Sequence, residues 1–178
     1  MIGAQKAGTP WLADIISQHP DIYSPEKKEI HFFNKQENYN KGLKWYSQFF
    51  SQRKGESIAG EFTPNYLWTS EAASDLEESG RTRNIPGLIQ EHLPEAKFIV
   101  TLRDPVERAI SAFYHHIRAR RISPSSKILD IKDQYGIVSM GFYDAHIEKW
   151  FEYFSRDQFL IFLFENSIKQ NKMETVRT

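Results

Sequence analysis

Residues 3–10, Gly3-Ala4-Gln5-Lys6-Ala7-Gly8-Thr9-Pro10, place a lysine between two glycines directly before a helical pattern. Ile2 is the expected tail of a strand that leads into this loop. A strand, a glycine loop and a helix start direct backbone N–H groups and the positive helix end into one small space, which suits a phosphate or sulfate. Lys6 adds a full positive charge there. The helical pattern follows from apolar residues that share one face, namely Trp11, Leu12, Ile15 and Ile16.

The position of the lysine separates this loop from that of the nucleotide kinases. In a Walker A loop the lysine follows the second glycine, whereas Lys6 precedes Gly8 by two positions. A tight turn that carries a solvated lysine would also explain so short a motif. The loop alone therefore leaves an anion site and a plain turn both open.

A second strand–turn–helix unit follows far along the chain. Residues 97–102, Lys97-Phe98-Ile99-Val100-Thr101-Leu102, have the composition of a buried parallel strand. Asp104 is placed to cap the next helix, Pro105 suits its first turn, and Glu107 has the spacing of a capping box. We expect this helix to span residues 105–121.

Arg103 and Ser111 are candidate ligands for a second anion. Arg103 directly follows the expected strand, and open α/β sheets bind ligands at the carboxyl ends of their strands. A guanidinium fork and the Ser111 hydroxyl, in the second helical turn, could hold one phosphate together. A surface ion pair and an ordinary helix serine are the alternative. Two such strand ends indicate a ligand with two separated anionic groups, such as a nucleotide with a 3′-phosphate and a 5′-anhydride.

These motifs resemble those of the sulfotransferase family, which uses 3′-phosphoadenosine 5′-phosphosulfate (PAPS) as donor. The first is similar to the family's 5′-phosphosulfate loop, and residues 102–111 are similar to its 3′-phosphate site. The resemblance runs over essentially the whole chain. Three intervening blocks look most like the branch that contains the heparan sulfate glucosaminyl sulfotransferases and their bacterial relatives: Glu29-Ile30-His31-Phe32-Phe33, Tyr39-x-x-Gly42-x-x-Trp45-Tyr46 and Gly60-Glu61-x-Thr63-Pro64-x-Tyr66.

The resemblance implies an α/β fold in which a P-loop-like parallel sheet is flanked by helices, as a single domain over residues 1–178. It assigns Glu29 as the catalytic base, with Lys6 as the catalytic cation at the leaving phosphate. His31 is the competing base, and His31 and Glu61 are tentative acceptor contacts. If residues 29–31 are extended, Glu29 and His31 share a face, because residues two apart point to the same side of an extended chain. The implied donor-binding residues are Lys6, Ala7, Gly8, Thr9, Pro10, Trp11, Arg103 and Ser111.

The chain departs from the family pattern at three places. Phe62 stands where heparan-modifying relatives often have a lysine, which makes a heavily sulfated acceptor less expected. Pro10 stands where relatives have a second threonine, so one hydroxyl contact to the phosphosulfate is missing. A Lys-Gly-Arg-like loop that closes over the nucleotide is not found after Phe164. The chain is therefore expected to be a fragment or a short relative with reduced activity.

Composition limits the remaining functions. The 178 residues, 40% of them hydrophobic, suffice for one core, and a net charge of zero provides no electrostatic case for nucleic acid. Cysteine is absent, which excludes disulfides and thiolate metal sites. Since the sequence has no long apolar stretch and no signal peptide, we expect a cytoplasmic protein with no membrane segment. We also expect no metal.

The expected activity is transfer of a sulfuryl group from PAPS to a hydroxyl or amine of an acceptor, with a carbohydrate preferred. The alternatives are a P-loop nucleotide kinase that uses Asp104 as its Walker B carboxylate, and a non-catalytic truncated domain that binds adenosine 3′,5′-bisphosphate. Magnesium dependence would separate the kinase from the transferase, because fixed cations and backbone donors can stabilise a leaving phosphate without metal. Periodicity further predicts helices over 10–18, 42–50, 86–92 and 139–154, an extended stretch over 21–23, and strands over 58–62 and 159–164.

Overall fold

The computed structural model describes residues 1–69, 84–131 and 134–170. Its helices are α1 (Thr9–Ile16), α2 (Gln36–Tyr39), α3 (Gly42–Ser47), α4 (Ile85–His92), α5 (Pro105–Arg118) and α6 (Tyr143–Phe151). Its strands are β1 (Ile22–Tyr23), β2 (Ile58–Ala59), β3 (Phe98–Leu102) and β4 (Phe159–Leu163). Short 3₁₀ turns occur at Gln48–Phe50, Pro64–Tyr66, Gln134–Gly136, Ser139–Gly141 and Arg156–Gln158, and Phe164–Gln170 forms a π-helical segment.

Strand β3 is the centre of the main sheet. It pairs in parallel with β4 along its whole length. On its other edge it pairs with the start of the chain, where Ile2 N–H donates to the Ile99 carbonyl at 3.0 Å and Thr101 N–H donates to the Gly3 carbonyl at 2.7 Å. This second pairing is also parallel. Where the sequence predicted the tail of a strand, the chain therefore pairs with β3 as an isolated parallel bridge, and the loop emerges beside the carboxyl end of β3.

A smaller parallel sheet is formed by β1 and β2, with Ile22 opposite Ile58. The extended stretch predicted around residues 21–23 is confirmed, whereas the strand predicted over 58–62 pairs only at its first two residues. Pro64, which has no N–H for a ladder, begins a 3₁₀ turn soon afterwards. The chain then returns to the main sheet, and Leu67 N–H donates to the Ile2 carbonyl at 2.8 Å.

Helix α5 begins as predicted and ends earlier. The Asp104 side chain accepts from Glu107 N–H at 2.9 Å, which is the expected cap. The Glu107 carboxylate does not complete a capping box, because it pairs with Arg103 at 3.3 Å instead. The helix ends at Arg118 rather than at residue 121, since Arg120 has φ 57, a left-handed value at which an α-helix cannot continue.

A buried arginine fixes the outer side of α5. Arg108 is fully buried, and its guanidinium donates to the carbonyls of Gly136 and Ile137. These bonds hold the Gln134–Gly136 turn against the helix. Hydrogen bonds to backbone carbonyls offset part of the cost of burying the charged guanidinium.

The core lies between the main sheet and the helices around it. Phe98 of β3 packs edge-to-face on Trp150 and Phe154, with ring centroids 5.0 and 4.7 Å apart. Four aromatic side chains from α3 and the turn after it pack against this core, namely Trp45, Tyr46, Phe49 and Phe50. Tyr46 stacks on Phe32 with ring centroids 4.6 Å apart. Among the described residues, no helix has the length and apolar character needed to cross a bilayer.

Gly8→Ala should destabilise the fold more than Gly42→Ala. Both glycines have left-handed backbone, with φ of 79 and 76, so alanine should cost about 1–2 kcal/mol at each. Gly42 faces open space, whereas a Cβ on Gly8 would lie 2.9 Å from the side chains of Phe164 and Ile168. That crowding should add about 1–3 kcal/mol. Urea unfolding measures both free energies, and equal losses would contradict the packing around Gly8.

Candidate active site

The glycine loop leads directly into α1. Lys6 and Gly8 have φ values of 68 and 79, and these left-handed turns bring the backbone round so that the helix begins at Thr9. Pro10 lies in the first turn, where its missing N–H costs nothing. The positive end of the helix therefore faces the loop, as an anion site requires.

The remaining donor-binding residues predicted in this region, Ala7, Thr9 and Trp11, differ in how deeply they are buried. Ala7 and Thr9 are buried, and Ala7 N–H donates to the Ala4 carbonyl at 3.2 Å, so this amide helps to close the turn. Trp11 is half-buried on the first turn of α1. The buried side chains of Ala7 and Thr9 thus anchor the loop.

Arg103 joins the loop to the second predicted anion site. Its Nη1 donates to the Lys6 carbonyl at 3.3 Å, and its Nη2 donates to Glu107 at the same distance. The guanidinium also lies over the Phe164 ring, 5.0 Å from its centroid. The structure therefore brings Lys6 and Arg103, which are far apart in sequence, to one edge of the sheet.

Positive charges crowd around Lys6. Burial lowers the pKa of Lys6 below its usual value, and repulsion first from Arg118 and then from Arg103 lowers it further. Arg118 is the last residue of α5, and its place there brings it within electrostatic reach of the loop. A bound anion would relieve this repulsion.

One face of α5 turns toward the loop. Ser111, His115 and Arg118 are spaced by four and three residues, which puts them on the same helical face. Burial lowers the pKa of His115, Lys6 lowers it further, and Glu29 opposes that shift. Reasoning from the sequence did not select His115 as a site residue. Its four-residue spacing from Ser111, which puts both on one helical face, was the feature that could have identified it. Ser111 therefore lies on the same face of α5 as His115 and Arg118. Both of these groups are within electrostatic reach of Lys6, and His115 is also within reach of Glu29.

Glu29 and His31 lie together, as predicted. Glu29 Oε2 is 3.0 Å from His31 Nε2, and His31 Nδ1 is 3.2 Å from Asn34 Oδ1. The pairing arises through a left-handed turn at His31, φ 56, and not through the extended stretch that the sequence suggested. The Glu29 side chain is 49% exposed, so an acceptor can reach its carboxylate.

Glu61 lies deeper than an acceptor contact would. Both carboxylate oxygens are buried without a hydrogen bond of ordinary geometry. Burial raises the pKa of Glu61 to about 7, and the nearby Tyr66 hydroxyl and the charge of His31 oppose that rise. The same burial, followed by the charge of Glu61, raises the pKa of Tyr46 and Tyr66. Glu61 lies beside the reaction site, and its contact with an acceptor stays a prediction.

No group of three acidic, histidine or cysteine side chains within residues 1–69, 84–131 and 134–170 is arranged to hold a metal ion. The groups gathered near the loop include the cations Lys6, Arg103 and Arg118, the imidazole of His115, and the carboxylates of Glu29 and Glu107. Such a set suits an anionic ligand and a proton transfer.

Comparison with known proteins identifies relatives of this arrangement. Heparan sulfate glucosamine 3-O-sulfotransferase 5 from Homo sapiens is 28% identical over 172 residues, which cover 89% of this chain and 45% of that protein. Heparan sulfate glucosamine 3-O-sulfotransferase 3B1 from Mus musculus is 31% identical over 168 residues, which cover 90% and 39%. This chain thus spans less than half the length of these relatives.

A solved structure supports the same relationship. The sulfotransferase from Alicyclobacillus acidocaldarius superposes with a TM-score of 0.77 at 28% identity, over 99% of this chain and 76% of that one. The predicted α/β sulfotransferase fold is thereby confirmed. The family model described as "Sulfotransferase domain" matches residues 1–178. Since this match includes both strand ends that meet at Lys6 and Arg103, the chain belongs to the sulfotransferase family.

Proposed function

We propose that this chain forms the donor-binding core of a PAPS-dependent sulfotransferase with a carbohydrate acceptor. The observation that carries the proposal is the 3.3 Å contact between the Arg103 guanidinium and the Lys6 carbonyl. It joins two cationic strand ends into one site, which suits a nucleotide with separate 3′ and 5′ anionic groups. The names of the heparan sulfate relatives support a glycan acceptor.

The two ends of the donor would bind to different elements. The phosphosulfate would lie at the α1 start, where Lys6 supplies charge and the helix supplies the positive end of its dipole. The 3′-phosphate would lie between Arg103 and the α5 face that carries Ser111. Charge-assisted hydrogen bonds of this kind contribute about 1.5–3 kcal/mol each.

Sulfuryl transfer then needs an in-line attack and a proton acceptor. The acceptor oxygen or nitrogen forms a bond to sulfur while the bond from sulfur to the bridging oxygen breaks. The electron pair of that bond stays on the leaving phosphate, which Lys6 stabilises, and the acceptor's proton passes to Glu29. His31, 3.0 Å from Glu29, orients the carboxylate. Positioning and fixed charge supply most of the rate enhancement, by analogy with phosphoryl transfer.

Adenosine 3′,5′-bisphosphate should bind more tightly than AMP, and Arg103→Ala should remove most of the difference. The loss should be about 10- to 150-fold in affinity for the bisphosphate, as expected for one charge-assisted contact. Calorimetry with both nucleotides measures it. Arg156→Ala is the matched control, because Arg156 also stacks on an aromatic ring, Phe151 at 4.3 Å, but precedes β4 at the other end of the sheet. Equal wild-type affinities for the two nucleotides would refute the 3′-phosphate site.

Glu29→Gln should lower the rate of sulfuryl transfer by about 100- to 10,000-fold while nucleotide affinity stays the same. Glutamine keeps the size and hydrogen-bonding reach of the side chain but cannot accept the proton. Transfer from radiolabelled PAPS to a panel of amino sugars and oligosaccharides is the measurement. His31→Gln is the comparison and should cost distinctly less. A crippled His31→Gln variant beside a mild Glu29→Gln variant would make histidine the base.

Glu61 is a buried carboxylic acid in this fold, and its titration should appear in the stability of the fold. Its pKa is about 7 in the folded state against 4.5 in the unfolded chain. Between these values the folded state holds the extra proton, so the free energy of unfolding falls as the pH rises from 4.5 to 7. The whole shift corresponds to about 3 kcal/mol.

Glu61→Gln should remove this pH dependence, because glutamine resembles the protonated acid. Relative to wild type, the variant should gain stability steadily between pH 4.5 and pH 8. Urea unfolding across that range tests the expectation. Parallel stability curves for the two proteins would show that Glu61 is ionised in the folded state throughout.

A further inference from the structure

The segment after β4 lies over both anion-binding elements. A Cβ added at Gly8 would be 2.9 Å from the Phe164 ring and from Ile168 Cδ1, so Phe164 and Ile168 pack directly on the glycine loop. Phe164 is half-buried and Ile168 is fully buried. The glycine loop therefore packs against side chains that follow β4, the strand on the opposite side of β3.

The same phenylalanine contacts the guanidinium of Arg103. The guanidinium carbon lies 5.0 Å from the ring centroid of Phe164. Its hydrogen bonds to the Lys6 carbonyl and to Glu107 are both long at 3.3 Å, and its Nε is buried without a hydrogen bond to any of the described residues. Neither bond is of the paired type that fixes a guanidinium plane. The flat face of Phe164 is the contact that can set the orientation of that plane.

Glu165, the residue after Phe164, contacts the same turn at Asp104. Its Oε1 accepts from Asp104 N–H at 3.1 Å, directly after Arg103. Phe164 and Glu165 thus hold the turn through the side chain of Arg103 and the backbone of Asp104. The Glu165 carboxylate carries negative charge beside a site for a phosphate, so its contribution is the hydrogen bond to the backbone.

We propose that Phe164 is a positioning residue for the donor site: its ring orients the Arg103 guanidinium against the glycine loop, so that the two anionic ends of one nucleotide are bound in a single geometry. The proposal rests on the function proposed above. Without the ring, Arg103 keeps its charge but samples other orientations, and the 3′-phosphate loses its directed hydrogen bonds. The 5′ end of the nucleotide, which Arg103 does not bind, is affected much less.

The variants Phe164→Leu and Phe164→Tyr distinguish the effect of the aromatic face from the effect of side-chain volume. Leucine keeps apolar volume against Gly8 and Ile168 but has no π face, whereas tyrosine keeps the face. Calorimetry measures the affinity for adenosine 3′,5′-bisphosphate and for AMP. Phe164→Leu should weaken the bisphosphate about 3- to 30-fold, the range expected for a cation–π contact, with AMP nearly unchanged, and Phe164→Tyr should restore the preference.

A double-mutant cycle with Arg103→Ala adds a second test. In that background Phe164→Leu should cost nothing further, because the group it positions is gone. Equal weakening of both nucleotides, or the same loss with and without Arg103, would reduce Phe164 to packing of the loop and overturn the inference. Phe164→Met replaces the leucine variant if the latter melts below the assay temperature. A wild-type protein without preference for the bisphosphate would instead refute the proposed function and this inference with it.

Glu165→Gln is the matched control for charge. Glutamine can still accept from Asp104 N–H through its carbonyl oxygen while the negative charge is removed. The preference for the bisphosphate should be kept or should increase. A loss as large as that of Phe164→Leu would assign the orientation of the turn to the Glu165 carboxylate and overturn the role given to the ring.

Discussion

The spacing of the candidate site depends on the hydrogen bonds between Gly3 and Thr101. Both the N–H and the hydroxyl of the fully buried Thr101 donate to the Gly3 carbonyl, at 2.7 and 3.2 Å. A Cβ at Gly3 would lie 2.6 Å from Leu67 Cβ, so the chain start fits between β3 and Leu67 only without a side chain. Because parallel strands end at the same edge, this fit fixes the distance from the glycine loop to Arg103.

That arrangement gathers like charges in a partly buried place. Lys6 is surrounded by Arg103 and Arg118, and the cost appears as a lowered pKa of the lysine. Glu107 pairs with Arg103 at 3.3 Å, but burial and repulsion from Arg118 and Arg103 still lower the pKa of Lys6. Crowded like charge at the end of a sheet is the kind of local conflict that a binding site maintains, because the ligand supplies further countercharge.

The sequence predicted the parts of the site that are local. The loop around Lys6, the cap at Asp104 and the placement of Arg103 follow from residue types and spacings within about ten positions. The approach of Arg118 and of Phe164 to this loop was not predictable, since it depends on how α5 and β4 pack against the sheet. Tertiary packing of this kind leaves no periodic signal in one sequence.

The same distinction explains the differences at Glu29 and Glu61. The sequence predicted that Glu29 and His31 share a face, and they do, but a left-handed turn at His31 makes the contact where an extended stretch was expected. The burial of Glu61 depends on Tyr46 and Tyr66, which come from separate elements. A motif can therefore identify a residue correctly, while the packing of other elements determines how deeply that residue is buried.

The overall charge of the chain says little about the ligand that its site favours. Lysine plus arginine and aspartate plus glutamate number 23 each, so the molecule as a whole exerts almost no long-range attraction on an anion. The field that matters is confined to the cations around Lys6, and salt screens it beyond about 8–10 Å. Recognition of a doubly anionic nucleotide must then come from short-range geometry. This is why the orientation of the Arg103 guanidinium, and the ring that lies against it, carry more weight in this site than the number of positive charges.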